Sequence, residues 1–122
     1  MANTFGEFLK ARRQALGLTL RAFCEKHGFD PGNLSRLERG LMPPPHDEQK
    51  LSEYGLALDL TAGSRDWQEF FDRAAAARGE IPRDLMADDK VVEKLPVLFR
   101  TLRGDAVPPE KLDDLVDKIR RS

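Results

Sequence analysis

The chain is predicted to be all-α, and three observations in its first forty residues predict it: apolar residues at helical spacing, a capping residue ahead of each run, and a glycine behind it. Asp30 to Gly40, reading DPGNLSRLERG, shows all three most clearly. Asp30 is a good N-cap, Pro31 suits the first helical position where no N–H is needed, and Gly40 suits the left-handed position that ends a helix. Phe29 before the cap and Leu34 at the fourth helical position have the spacing of a hydrophobic staple. Leu34 and Leu37 stand three apart on the face to be buried, which leaves Ser35, Arg36 and Arg39 to solvent or a ligand.

Upstream, Thr19 is placed to cap a helix with apolar Leu20, Phe23 and Cys24, and with His27 and Gly28 as its polar last turn and stop. Gly28-Phe29-Asp30 then joins two short amphipathic helices, the sequence outline of a helix-turn-helix whose second helix can enter a DNA major groove. An earlier helix begins at Thr4, where Thr4-Phe5-Gly6-Glu7 fits a capping box. It presents Phe5, Phe8, Leu9 and Leu16 and stops at Gly17.

Through the run LKARRQALGLTLRAFCEKHGFDPGNLSRLERG, residues 4 to 60 resemble the Cro/cI-type phage-repressor family of helix-turn-helix proteins, often called the XRE family. The specific part is the spacing of Arg13, Gly17-Leu18-Thr19, Gly28 and Leu34 to Gly40. The resemblance implies a compact five-helix, repressor-like DNA-binding domain. It also implies that Arg13, late in the first helix, pairs with Glu38, late in the recognition helix, in a structural ion pair.

The DNA-facing residues implied are Thr19, Arg21, Gly32, Asn33, Ser35, Arg36 and Arg39. Leu20 stands where relatives often place a phosphate-binding glutamine, and Arg21 beside it can take over that role. Pro31 and Gly32 occupy the first recognition positions without a side-chain donor or acceptor, so readout shifts to Asn33, Ser35, Arg36 and Arg39, or in part to DNA shape. Asn33 has the chemistry to pair with adenine and Arg36 with guanine. Leu41 to Pro45 carries no Lys or Arg, so phosphate binding there falls to backbone N–H groups of Gly40, Leu41 and Met42.

A net charge of −1 argues against a protein that coats nucleic acid generally, but the charge is uneven. Residues 1 to 45 carry seven Lys/Arg against four acids, a net of +3, and the remainder carries thirteen against seventeen, a net of −4. This is the footprint expected when DNA contact is confined to one surface. The single cysteine, Cys24, excludes an internal disulfide and lies on an apolar stripe, as a small core residue would. His27 and His46 lack the spacing of a zinc site, and no catalytic triad, phosphate-cradling loop or carboxylate dyad is present. No enzyme activity, metal or cofactor is therefore expected. Without an apolar run near 18 residues or a leader segment, the chain is expected to be cytoplasmic and not membrane-bound.

Leu51, Tyr54, Ala57 and Leu58 mark a fourth helix closing the core over the first and third, with Pro43 to Pro45 as its stiff lead-in. Ser64 caps a longer helix ending at Gly79, and its Trp67, Phe70 and Phe71 are expected to pack on the helix-turn-helix, or alternatively to form a dimer interface. The domain boundary is placed between residues 78 and 79, with 79 to 122 as a helical extension. Within it, a helical stretch around Asp88 to Lys94 is expected to end before Pro96, which begins another helix with Leu98, Phe99 and Leu102 apolar. Pro108-Pro109 opens a last helix with Leu112, Leu115, Val116 and Ile119 on one face. These last two apolar faces are the expected dimer or partner interface, the alternative being docking on the chain's own domain.

The function expected is a sequence-specific DNA-binding transcriptional regulator, a repressor acting as a homodimer on double-stranded DNA. Two half-sites about one helical turn apart multiply the discrimination of one short helix. One alternative is an antitoxin that represses its own operon and neutralises a toxin through its acidic half. The other is a protein–protein adaptor without DNA readout.

Overall fold

The computed structural model describes residues 4–104, and among them every regular element is a helix. These are α1 (Phe5–Ala15), α2 (Leu20–His27), α3 (Pro31–Glu38), α4 (Glu48–Ala57), α5 (Arg65–Ala77), α6 (Arg83–Met86) and α7 (Asp89–Arg103). The chain divides into two compact units between Glu80 and Ile81, so α1 to α5 form one unit and α6 and α7 belong to the other.

Side-chain caps set the starts of the first five helices. The Thr4 hydroxyl accepts from Glu7 N at 3.2 Å, Thr19 from Ala22 N at 3.1 Å, Asp30 from Asn33 N at 2.8 Å, Asp47 from Gln49 N at 2.9 Å and Ser64 from Trp67 N at 3.2 Å. Each bond satisfies a backbone donor that has no partner inside its helix. Gly28, with φ 73°, turns the chain from α2 into α3, and Gly40, with φ 72°, ends α3; both need the left-handed conformation that other residues resist.

The core of the first unit is one cluster in which Leu9, Phe23, Leu34 and Phe70 are wholly buried. α1 is its hub, packing against both α3 and α5, while α2 packs on α3. Phe70 delivers α5 to this core, with its ring 5.2 Å from Phe5 and 6.1 Å from Phe8. Trp67 lies 5.2 Å from Phe71 and closely over Gly55 of α4. Phe70 is thus core, and Trp67 and Phe71 pack against it while staying partly exposed. α4 packs most extensively on α5, and Tyr54 carries it to the helix-turn-helix through a ring contact of 4.6 Å with Phe29. Leu16 departs from expectation: it is the C-cap residue of α1 and is exposed, because the helix ends one residue before it and its side chain leaves the apolar stripe.

In the second unit the expected break at Pro96 is overturned. α7 runs unbroken from Asp89 to Arg103 with Pro96 inside it, and a short helix, α6, precedes it. An interior proline costs about 3 kcal/mol through a lost hydrogen bond and a ring clash. Here Val91, Leu95 and Leu98 line one face that packs with Ile81 and Leu85, and that burial requires a continuous helix. Pro96 and Val92, whose carbonyl loses its partner, both lie on the exposed side where solvent can satisfy the oxygen. Asp88, where the helical stretch was expected to begin, is the cap, accepting from Lys90 N at 2.9 Å and Val91 N at 3.4 Å. The expected last helix, with Leu112, Leu115, Val116 and Ile119, lies outside the described residues.

Candidate nucleic-acid interface

The outer face of α3 is the candidate site, and what fixes that face begins on its inner side. Leu34 and Leu37 are buried, and Arg13 of α1 reaches Glu38 in a two-pronged ion pair, Nε to Oε2 at 2.7 Å and Nη2 to Oε1 at 2.9 Å. Both side chains are over nine-tenths buried. The third guanidinium nitrogen, Nη1, donates to the Leu18 carbonyl at 2.8 Å, tying the turn before α2 to the same arginine. The hydrogen bond to Glu38 holds the Arg13 guanidinium above its usual range, outweighing the opposite effect of burial. A charged pair so placed ties α3 to α1 and leaves little of either side chain at the surface.

Gly6 is the residue that sequence reading missed. A β-carbon there would lie 2.5 Å from the carbonyl oxygens of both Leu37 and Glu38, so α1 and the end of α3 touch backbone to backbone. In sequence Gly6 stands only as an interior position of the capping box Thr4-Phe5-Gly6-Glu7. The signal available was its cost: glycine inside a helix loses about 1 kcal/mol against alanine and needs a packing reason.

Along the outer face, Pro31, Asn33, Arg36 and Arg39 are exposed, and Gly32 and Ser35 partly so. Arg36 Nη2 donates to Asn33 Oδ1 at 2.6 Å, so the two residues expected to act separately are joined. Arg39 is the C-cap, its Nε 3.4 Å from the Ser35 carbonyl, which places it at the far end of α3 from Asn33. There its charge complements the helix dipole. On α2, Thr19 and Arg21 are both exposed. The Thr19 oxygen accepts the Ala22 N–H, which leaves its hydroxyl proton able to donate to a phosphate.

One expectation about phosphates is corrected. Gly40 N donates to the Leu37 carbonyl at 3.2 Å and Leu41 N to the Arg36 carbonyl at 2.8 Å. This pair of bonds closes the end of α3 in a Schellman motif, so two of the three backbone donors assigned to phosphate are already used. The loop that follows is anchored, since Arg78 at the end of α5 donates to the Pro45 carbonyl at 3.0 Å and to Glu80 Oε1 at 3.0 Å.

Cys24 is buried, and burial pushes its thiol up, so it stays protonated and is a poor nucleophile. His27 stacks in an aromatic row, 4.9 Å from Phe23 and 6.0 Å from Phe29. Among the described residues no three His, Cys, Asp or Glu side chains gather as metal ligands would, and no helix is long and apolar enough to cross a membrane.

Residues 4–62 match the family model described as a helix-turn-helix domain, a span that covers α1 to α4 and the turn after them. No curated protein and no solved structure gives a significant match to the chain. The chain thus carries a helix-turn-helix domain in an all-helical setting, with the outer face of α3 as its candidate site.

Proposed function

We propose that this protein is a cytoplasmic, sequence-specific DNA-binding regulator of the Cro/cI-like kind, a repressor and not an enzyme, that works as a homodimer. The observation carrying the reading is the contrast between the two sides of α3. Its inner side is fixed by Leu34, Leu37, the Arg13–Glu38 pair and the Gly6 contact, whereas its outer side holds an exposed Asn33 and Arg36 that no packing role explains. A rigid helix with donors on its outer face suits a major groove. Arg39 at one end of α3, and Thr19 with Arg21 at the start of α2, are the proposed phosphate contacts.

Dimerisation is proposed through the second unit, where α7 leaves Phe99 and Leu102 exposed although Leu98 packs inward on Val91 and Leu95. The same surface fits the antitoxin reading, with a toxin in place of the second copy. Light scattering of the purified chain separates them: the homodimer reading expects twice the chain mass without a partner.

The direct test is fluorescence anisotropy with a random-sequence duplex at two ionic strengths. Phosphate contacts from Arg21 and Arg39 predict binding that weakens with salt, with a log–log slope of about −0.9 per phosphate neutralised. Absence of binding at low salt would instead favour the adaptor reading.

A further inference from the structure

Resting on the DNA-reading role of α3, we infer that Asn33 and Arg36 act as one joined reader that selects guanine, and that Asn33 does not read adenine. The geometry starts from the 2.6 Å hydrogen bond between Arg36 Nη2 and Asn33 Oδ1. A guanidinium has donors only, so the amide atom facing it must be the oxygen, and the orientation of Asn33 follows. Its Nδ2 therefore points away from Arg36 as a second donor.

Gly32 marks where the Arg36 guanidinium lies. A β-carbon at residue 32 would lie 3.5 and 3.6 Å from the two terminal nitrogens of Arg36, so the guanidinium lies back along the first turn of α3. That is the turn whose side chains reach base edges when such a helix enters a groove. The nearby Asp30 carboxylate offers little as a base reader, because its Oδ2 holds the Asn33 N–H at 2.8 Å as the helix cap.

The chemistry of the joined pair decides the base. Reading adenine with an asparagine needs Oδ1 to accept from the N6 amino group while Nδ2 donates to N7. Oδ1 keeps a second lone pair, but a full positive charge sits 2.6 Å from it, where the electropositive N6 amino group would have to approach. Guanine presents O6 and N7 on the same edge, both acceptors, and is attracted by the same charge. The remaining Nδ2 donor of Asn33 then meets an acceptor on the neighbouring base, N7 of a purine or O4 of a thymine.

The test is selection of duplexes bound by the full chain from a random pool, repeated with Asn33→Ala and Arg36→Ala, followed by anisotropy on the winning duplex. Both side chains are exposed, and circular dichroism confirms that each variant keeps the parent's helicity. The parent is expected to select a guanine that both variants relax, each lowering guanine-over-adenine discrimination there by about 5- to 150-fold. Because the residues act together, the double variant should fall no further than the worse single within about threefold. Replacing that guanine by 7-deazaguanine should weaken the parent and leave Arg36→Ala unaffected.

An adenine relaxed by Asn33→Ala and indifferent to Arg36→Ala would overturn the joined reader. Binding without any base preference would also overturn it while leaving DNA binding intact. Failure to retain any duplex would remove both this inference and the reading on which it rests.

Discussion

Glu38→Ala is expected to lower stability by about 3–5 kcal/mol, because it leaves the Arg13 guanidinium buried with only the Leu18 carbonyl as partner. Small domains are stable by only about 5–15 kcal/mol, so much of the margin disappears. For a unit of this size each 1 kcal/mol is worth about 4–8 °C of Tm, and calorimetry reads the loss directly. DNA binding should weaken only as the folded fraction falls. The double variant Arg13→Met with Glu38→Leu is expected to regain most of the lost Tm, since replacing a whole buried pair by apolar groups removes the uncompensated charge. A Glu38→Ala protein that melts like its parent yet binds no DNA would show that the pair has a direct ligand role.

Gly6→Ala sets two magnitudes against each other. Helix propensity favours alanine by about 1 kcal/mol. Overpacking costs about 1–3 kcal/mol or more, and here the added carbon would meet two carbonyl oxygens at 2.5 Å, atoms that cannot rotate away. The steric term wins, so the variant is expected to melt below the parent by several degrees. The only relief is for α1 and α3 to separate, which shifts the reading helix. Affinity for a selected operator measured at a temperature where the variant is fully folded should therefore fall as well. Ala11→Gly, on the exposed side of α1, is the control: it should cost about 1 kcal/mol of stability and leave DNA affinity unchanged. A Gly6→Ala protein more stable than its parent would contradict the backbone contact.

The helices of the first unit were legible because each carries its own punctuation. Thr4, Thr19, Asp30, Asp47 and Ser64 all cap, and local side-chain bonds do not depend on the rest of the fold. Pro96 misled because its local penalty was weighed without the tertiary term: Val91, Leu95 and Leu98 pack with Ile81 and Leu85 only if the helix continues. Gly6 was opaque for a related reason, since the carbonyls that require it lie more than thirty residues away in sequence. At the candidate site, the identity of the exposed residues on α3 could be read from their spacing. The bond between Asn33 and Arg36 could not, because an i, i+3 pair can equally point its two side chains at separate bases. The Schellman closure at Gly40 and Leu41 was half visible: glycine at the helix end signals the stop, and the two donors it uses follow from the motif only once its end residue is fixed.

The central claim is that the outer face of α3 meets DNA, and amide chemical shifts of the labelled full chain titrated with duplex DNA test it most directly. The account predicts that the largest shifts fall on Asn33, Ser35, Arg36 and Arg39, with a second group at Thr19 and Arg21, while Leu9, Phe70 and Val91 stay in place. Shifts centred on α7 with α3 silent would contradict it.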